Sequence, residues 1–508
     1  MLDLPTPESL WHSDTETPDR QGQAPPHSDV LVVGAGIAGL TTACLLARAG
    51  RGVTVVESRH VGAGVTGNTT AKVTAQHGLH YAALGGERAM RYAEAQVRAL
   101  DWVAQGAGSA TDACGFERRD SFVYTTRADR RDDLAREAEA MQLAGLTDTE
   151  LLDDLDLPFD VAAAVRLPDQ AQFHPQRWLL HLAEQVEAAG GQVLEGVAVL
   201  NVHDGHNGHL LVDTATGSAA ASEVRSVSAE HVVVATHYPI LDRALFFTRL
   251  GQTRDLVVSG PVQGTAPRGV YLDADAGYSL RTPPGATDRL IIGGGQHAPG
   301  TRPDQERCFA ELAEWAQDQV GLREVSHRWA AHDLTTPDGV PYVGRYLPGS
   351  SNLWVATGFN LWGMTNGTAA GLLLHDLITD QADPAQADLM SPSRVSADVV
   401  TGAVRDQVKA GSHLVSGLAR AVTSGDDAAD LADGEGRVRH VGTRAVASYR
   451  DEDGLLHEVS ANCTHLGCVV QFNNAERTWD CPCHGSRFSI NGNVLNGPAT
   501  DPLEPFEP

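Results

Sequence analysis

Four of the seven cysteines fall within 21 positions, in the stretches Cys463-Thr464-His465-Leu466-Gly467-Cys468 and Cys481-Pro482-Cys483-His484-Gly485-Ser486, while Cys44, Cys114 and Cys308 stand alone. A disulfide framework spreads its cysteines over the fold, so a cluster this tight reads first as a metal site. C-x-H followed by C-x-x-H supplies two thiolates and two imidazoles from a pair of loops, and the chain must fold so that those loops close on one centre. The three scattered cysteines read as ordinary buried thiols.

That ligand set matches a Rieske [2Fe-2S] centre, with Cys463 and Cys481 on one iron and His465 and His484 on the other; a zinc site could use the same ligand types. The surrounding CTHLGC and CPCHGS stretches resemble the Rieske proteins of cytochrome complexes over about residues 434–508. The resemblance implies a small all-β domain with its four ligands at an exposed tip. It also implies a disulfide between Cys468 and Cys483 that ties the ligand loops together. Two neutral histidines in place of thiolates reduce the negative charge, so such a centre accepts an electron at about −150 to +300 mV, against roughly −400 mV for an all-cysteine plant-type cluster. Ser486 is placed to donate a hydrogen bond to a bridging sulfide. Phe488 stands where high-potential relatives carry a tyrosine hydroxyl, which should pull the potential below the top of that range.

A second constraint lies near the other end. Residues 29–33 form a short apolar strand, the run Gly34-Ala35-Gly36-Ile37-Ala38-Gly39 opens a helix over about 39–49, and residues 53–57 resume as a strand ending on Glu57. In this β-α-β unit Gly34 permits the tight turn, Gly36 lets a pyrophosphate approach the backbone, and Gly39 lets helix and strand pack closely. The helix amino terminus offers NH groups to phosphate, and Glu57 can accept hydrogen bonds from a ribose diol. The one near-repeat, Gly293-Gly294-Gly295, runs into Pro299 and Gly300 where a phosphate-binding helix would begin, so it reads as a strand-end turn. A single nucleotide site points to a resident FAD.

Several further stretches follow in order: residues 62–72 (GAGVTGNTTAK), Phe173-His174-Pro175, Val234-Ala235-Thr236, residues 336–344 (TPDGVPYVG) and residues 356–365 (ATGFNLWGMT). With the glycine fingerprint they resemble the D-amino-acid, glycine and sarcosine oxidase family over about residues 28–380. The resemblance implies an FAD domain assembled from discontinuous segments, a sheet-rich substrate domain over the flavin ring, and hydride abstraction from a carbon next to an amine nitrogen. It places Thr66, Thr70, Lys72, Val199, Thr236, Gly358, Gly363, Met364 and Thr365 beside the flavin with Gly34, Gly36, Gly39 and Glu57. It assigns Lys72, Asp333, Asn360 and Trp362 to the reacting side. Amino-acid oxidases of this kind commonly carry an arginine three residues before the Thr of the TPD-like turn, whereas this chain has Asp333. An aspartate cannot hold a carboxylate but can hold an ammonium, which favours a cationic amine. Ala331 and Asn68 stand near where relatives with covalent flavin carry Cys or His, so the FAD should be non-covalent.

The expected architecture is a multidomain α/β (α+β) protein. Residues 1–27 are a flexible arm; 28–80, 165–240 and 335–380 form a Rossmann-type FAD domain; 81–164 and 241–334 form the substrate domain, with 240–335 reading as short strands and turns. Residues 381–433 are a linker with a helix over about 399–422, and 434–508 the Rieske domain. The 508 residues carry 65 acidic against 38 basic side chains, a formal charge of −27 that repels nucleic acid and anionic lipid alike. The acidic, Pro-rich start is unlike a secretory signal and no stretch is long enough to span a membrane, so a cytoplasmic protein is expected. The expected function is a dehydrogenase in which a small amine-type substrate reduces FAD and electrons pass singly through the Rieske centre to an external acceptor. The alternative is an electron-transfer or redox-sensing module without small-molecule turnover. Rieske oxygenases share the ligand pattern, but the flavin half leaves no room for their mononuclear iron domain.

Overall fold

The computed structural model describes residues 4–108, 114–216, 223–241, 243–302, 304–394 and 430–506. The helix expected over 399–422 lies outside them.

The valine-rich runs do what continuous apolar runs do when both faces of a sheet are covered. His27–Val33 pairs in parallel with Val53–Val56 on one side and with Glu223–Val234 on the other. Leu353–Thr357 and Gln192–Leu194 extend the sheet in parallel, and Tyr342–Arg345 closes one edge antiparallel. Helices Ile37–Arg48 and Gly363–Ile378 pack together on one face.

A second, nine-stranded sheet runs in the order His327–Thr335, Gly251–Pro261, Arg289–His297, Ser279–Arg281, Val270–Asp273, Glu117–Thr125, Ala163–Gln172, Lys72–Val73, with Glu150–Leu152 beside Ala163–Gln172. The boundary drawn at residue 165 therefore falls inside a strand of this sheet, and Lys72–Val73 also belongs to it. The strand turns the chain from one sheet into the other, which no local pattern marks. The region read as strands and turns also contains the helix Gln305–Val320. Its buried Cys308, Phe309, Leu312, Ala313, Ala316 and Val320 recur at helical spacing and pack against the sheet.

The arm expected to be flexible is packed instead. Trp11 is 1% exposed, its Nε1 donates to Thr69 O at 2.7 Å, and Ser9 Oγ donates to Gly67 O at 2.8 Å. One large aromatic buried in this way outweighs the polar composition around it.

Residues 436–506 fold as two small antiparallel sheets around Trp479, Phe488, Val459 and Tyr449. They rest on the larger body through buried polar contacts. Arg254 pairs with Glu476, and Asn474 Oδ1 accepts from Gln305 N at 2.8 Å at the start of the helix Gln305–Val320. No helix among the described residues is long and apolar enough to cross a membrane.

Candidate functional site

The nucleotide cradle forms where the parallel strands end. Gly34 has φ +106° and lies so close to Ala235 that a Cβ there would come within 2.6 Å of its carbonyl oxygen; a Cβ on Gly39 would stand 2.0 Å from Gly34 O. Only glycine fits both positions. Thr236, two residues past the neighbouring strand Glu223–Val234, is therefore held against the turn. Thr66 Oγ1 faces Gly36 and accepts from Ile37 N at 3.3 Å, and Glu57 Oε2 accepts from Ala35 N at 3.0 Å. Fingerprint, acid and loop thus converge on one helix start, which fits a dinucleotide. Val197 N reaches Glu57 O at 2.9 Å, whereas Val199, two residues on, packs into the apolar cluster beneath.

Beyond the cradle lies a cavity of about 660 Å³ lined by the nine-stranded sheet, the helix Gln305–Val320 and the start of the helix Gly363–Ile378. Thr70, Lys72, Trp362 and Met364 line it, together with Asp255, which the sequence reading did not single out. Lys72 Nζ donates to Thr70 Oγ1 at 2.5 Å and to Ser279 Oγ at 3.0 Å. Trp362 stacks on the buried His77, with centroids 4.7 Å apart. Thr365 Oγ1 is spent on Thr74 O and His77, and so braces the start of the helix Gly363–Ile378.

Asp333 and Asn360 do not line this cavity. Asp333 Oδ1 accepts from Leu334 N at 2.7 Å; Asn360 Oδ1 accepts from Thr336 N at 2.8 Å, and its Nδ2 donates to Gly358 O at 2.7 Å. Both side chains hold the Gly358–Leu361 turn against the strand end. Asp333 still acts at a distance. Burial pushes its carboxyl up to about 6, and its charge adds to burial in pushing Asp255 up to about 7. Burial likewise pulls the Lys72 ammonium down to about 7. The signal for Asp255 in the sequence is a charged pair, Arg254-Asp255, at the head of an apolar strand.

In the Rieske-like domain Cys463 and Cys481 are buried free thiols, 3% and 1% exposed, hydrogen-bonded to each other. That hydrogen bond draws Cys463 down to about 7 and, with burial, drives Cys481 up. The rings of His465 and His484 meet edge-on, centroids 5.0 Å apart. His484 Nε2 is buried with no hydrogen-bond partner among the described residues, and burial, then His465, lowers its ring to about 4, so the imidazole is neutral as a metal ligand must be. Two thiols and two imidazoles around one spot fit a [2Fe-2S] cluster. Cys468 and Cys483 are joined by a disulfide with Cα atoms 6.4 Å apart. Ser486 Oγ accepts from Ala499 N at 3.0 Å and also lies beside Cys463.

The tip of this domain is docked rather than exposed. Phe247 packs edge-on against both His465 and His484, at 5.2 and 5.7 Å. Gln252 Nε2 donates to His484 O while Gln252 Oε1 meets His332 Nε2 at 2.5 Å. His332 lies edge-on to the buried His237 at 5.9 Å, and His237 O accepts from Thr357 Oγ1 at 2.6 Å, one residue before Gly358. A short run of contacts thus links the flavin-side turn to the histidine loop.

This fold and these two centres define a flavoprotein oxidoreductase fused to an iron-sulfur domain. Residues 29–377 match the family described as FAD dependent oxidoreductase (DAO), and residues 424–507 match the Rieske [2Fe-2S] domain. The chain belongs to the DAO family of FAD-dependent oxidoreductases, and its cofactors are FAD and a Rieske [2Fe-2S] cluster. It is 31% identical to the Bacillus subtilis (strain 168) protein YhfW, described as a Rieske 2Fe-2S iron-sulfur protein, over 99% of this chain and 98% of that one. The cluster region is 52% identical to the cytochrome b6-f complex iron-sulfur subunit of Synechococcus sp. (strain JA-3-3Ab), over 12% of this chain and 30% of that subunit. The flavin part shares its fold with glycine oxidase from Geobacillus kaustophilus, at TM-score 0.62 and 19% identity, over 73% of this chain and all of that one.

Proposed function

We propose that this chain is an amine dehydrogenase whose electrons leave through its own Rieske centre to an external one-electron acceptor. When bound, FAD supplies a two-electron hydride acceptor and the cluster a one-electron carrier, so one amine oxidised to an imine, then hydrolysed by water to carbonyl and ammonium, reduces two molecules of acceptor.

The residues of the chain prepare the amine. The Asp255 carboxylate faces the cavity without a hydrogen bond among the described residues, and so can hold an ammonium and take its proton. Lys72, fixed by Thr70 and Ser279, keeps that carboxylate from being neutralised entirely by burial. Trp362 supplies an apolar wall that excludes water.

The observation that carries the reading is the docking of both histidines of the ligand loops on Phe247 of the flavin-binding body. An oxidase that hands electrons to dioxygen has no use for such a contact. Opposite it, His465 is only half-buried and Leu466 is 53% exposed, leaving an apolar edge for the acceptor.

Rapid anaerobic mixing with amines tests the proposal. Flavin bleaching should be followed by cluster reduction at a rate independent of protein concentration. A rate proportional to concentration would remove the single-chain relay. A flavin that no amine bleaches but that a protein donor reduces would replace the enzyme with an electron-transfer module.

A further inference from the structure

Resting on the reading of this cavity as an amine site, we infer that its substrate carries a second cationic group, held by Asp273 at the end away from Asp255. The cavity crosses four adjacent strands, Gly251–Pro261, Arg289–His297, Ser279–Arg281 and Val270–Asp273. Asp255 lies on the first and Asp273 on the last. Three strand spacings separate them, roughly 14 Å. An α-amino acid cannot reach both, whereas a long diamine or polyamine can.

The two carboxylates are equipped differently from their neighbours. Asp273 Oδ1 accepts from Asp275 N at 2.8 Å and Ala276 N at 3.3 Å, leaving Oδ2 without a hydrogen bond among the described residues. Burial raises its carboxyl, as expected for an acid with no cation at hand. The other two acids of the cavity wall are already paired: Asp275 with Arg130 at 3.5 Å and with Thr125 Oγ1 at 2.5 Å, and Glu311 with Arg307 at 3.0 Å. Asp255 and Asp273 are thus the acids with capacity left. The cations of the wall are Lys72, occupied beside Asp255, and Arg302, exposed at the rim.

Between the anchors the lining suits a methylene chain. Leu272, Leu312 and Leu361 supply apolar surface, and Tyr278, stacked on Trp315 with centroids 3.9 Å apart, presents a fixed aromatic face. Such a face attracts both alkyl chains and ammonium groups.

The test compares three ligands of one length on the holoenzyme: octylamine, 1,8-diaminooctane and 8-aminooctanoate, each titrated anaerobically by flavin absorbance. The diamine should bind about tenfold or more tightly than the monoamine, as one additional desolvated ion pair supplies, and 8-aminooctanoate should bind less well than either. Equal dissociation constants for the two amines would overturn the inference while leaving amine oxidation standing. Tighter binding of 8-aminooctanoate, with its carboxylate on Arg302, would overturn it too. If no amine perturbs or bleaches the flavin, the proposed function falls and takes this inference with it. Asp273→Asn should bring the diamine-to-monoamine ratio close to one, with the cluster's electron paramagnetic resonance reporting that the chain is folded.

Discussion

Gln252 spans the boundary between flavin body and iron-sulfur domain, donating through Nε2 to the backbone carbonyl of His484. Its amide oxygen, Oε1, meets His332 Nε2, so one side chain ties a ligand loop to a buried histidine of the flavin-binding body. Gln252→Ala leaves a partly buried carbonyl unpaired, at a cost of about 1 kcal/mol or more. We expect cluster reduction after flavin bleaching to slow about tenfold or more, since 1.4 kcal/mol is a factor of ten in the docked fraction. Stopped-flow absorbance resolves the two steps. An unchanged second step would mean that the contact plays no part in the relay.

Arg254 and Glu476 hold the same boundary electrostatically. Arg254 is 1% exposed, Glu476 is shared with Arg487 at 2.9 Å, and Arg487 also pairs with Asp480 at 3.0 Å. Breaking a buried pair from one side costs about 3–5 kcal/mol. Arg254→Met should lower the urea midpoint and make cluster reduction depend on protein concentration, because a released domain finds other molecules. A variant with the wild-type midpoint would show that packing, not charge, seats the domain.

Glu57→Ala should weaken FAD binding without altering the cluster's spectrum. The carboxylate takes one backbone NH of the glycine turn through Oε2 and that of Arg59 through Oε1, and stands where a ribose diol must lie. Fluorescence titration of the FAD-stripped protein measures the loss, about tenfold or more for charged hydrogen bonds of 1.5–3 kcal/mol. Equal loss of both cofactors would assign Glu57 to the fold alone.

The rate of flavin bleaching should depend on pH through Asp255. Burial raises its carboxyl to about 7, so it is protonated below that value and a carboxylate above it. As a proton acceptor it works only in the second form, and bleaching at saturating amine should rise through about pH 7 and level off beyond. Asp255→Asn should lose this limb and slow bleaching on the order of a hundredfold or more. A profile flat from about pH 6 to 8 in the parent protein would exclude Asp255 from the proton transfer.

By itself the sequence determined the two cofactors, because the motif that marks each is assembled from neighbours along the chain. Gly34, Gly36, Gly39 and Glu57 lie in one β-α-β unit, and the cysteines and histidines of the cluster in two adjacent loops, so residue type and spacing carry the chemistry. The tertiary structure decided where the acids and the domains stand. Asp255 and Asp273 share one cavity only through the order of four strands, and Asp333 turns to the Leu334 amide rather than lining the cavity. Trp11 is buried although its surroundings are polar, because the loop it covers, near Thr69, is remote in sequence. Gln252 reaches His484 across 232 residues. Contacts of that kind depend on sheet register and on how two separately formed cores fit, and neither leaves a period or spacing that can be read along the chain.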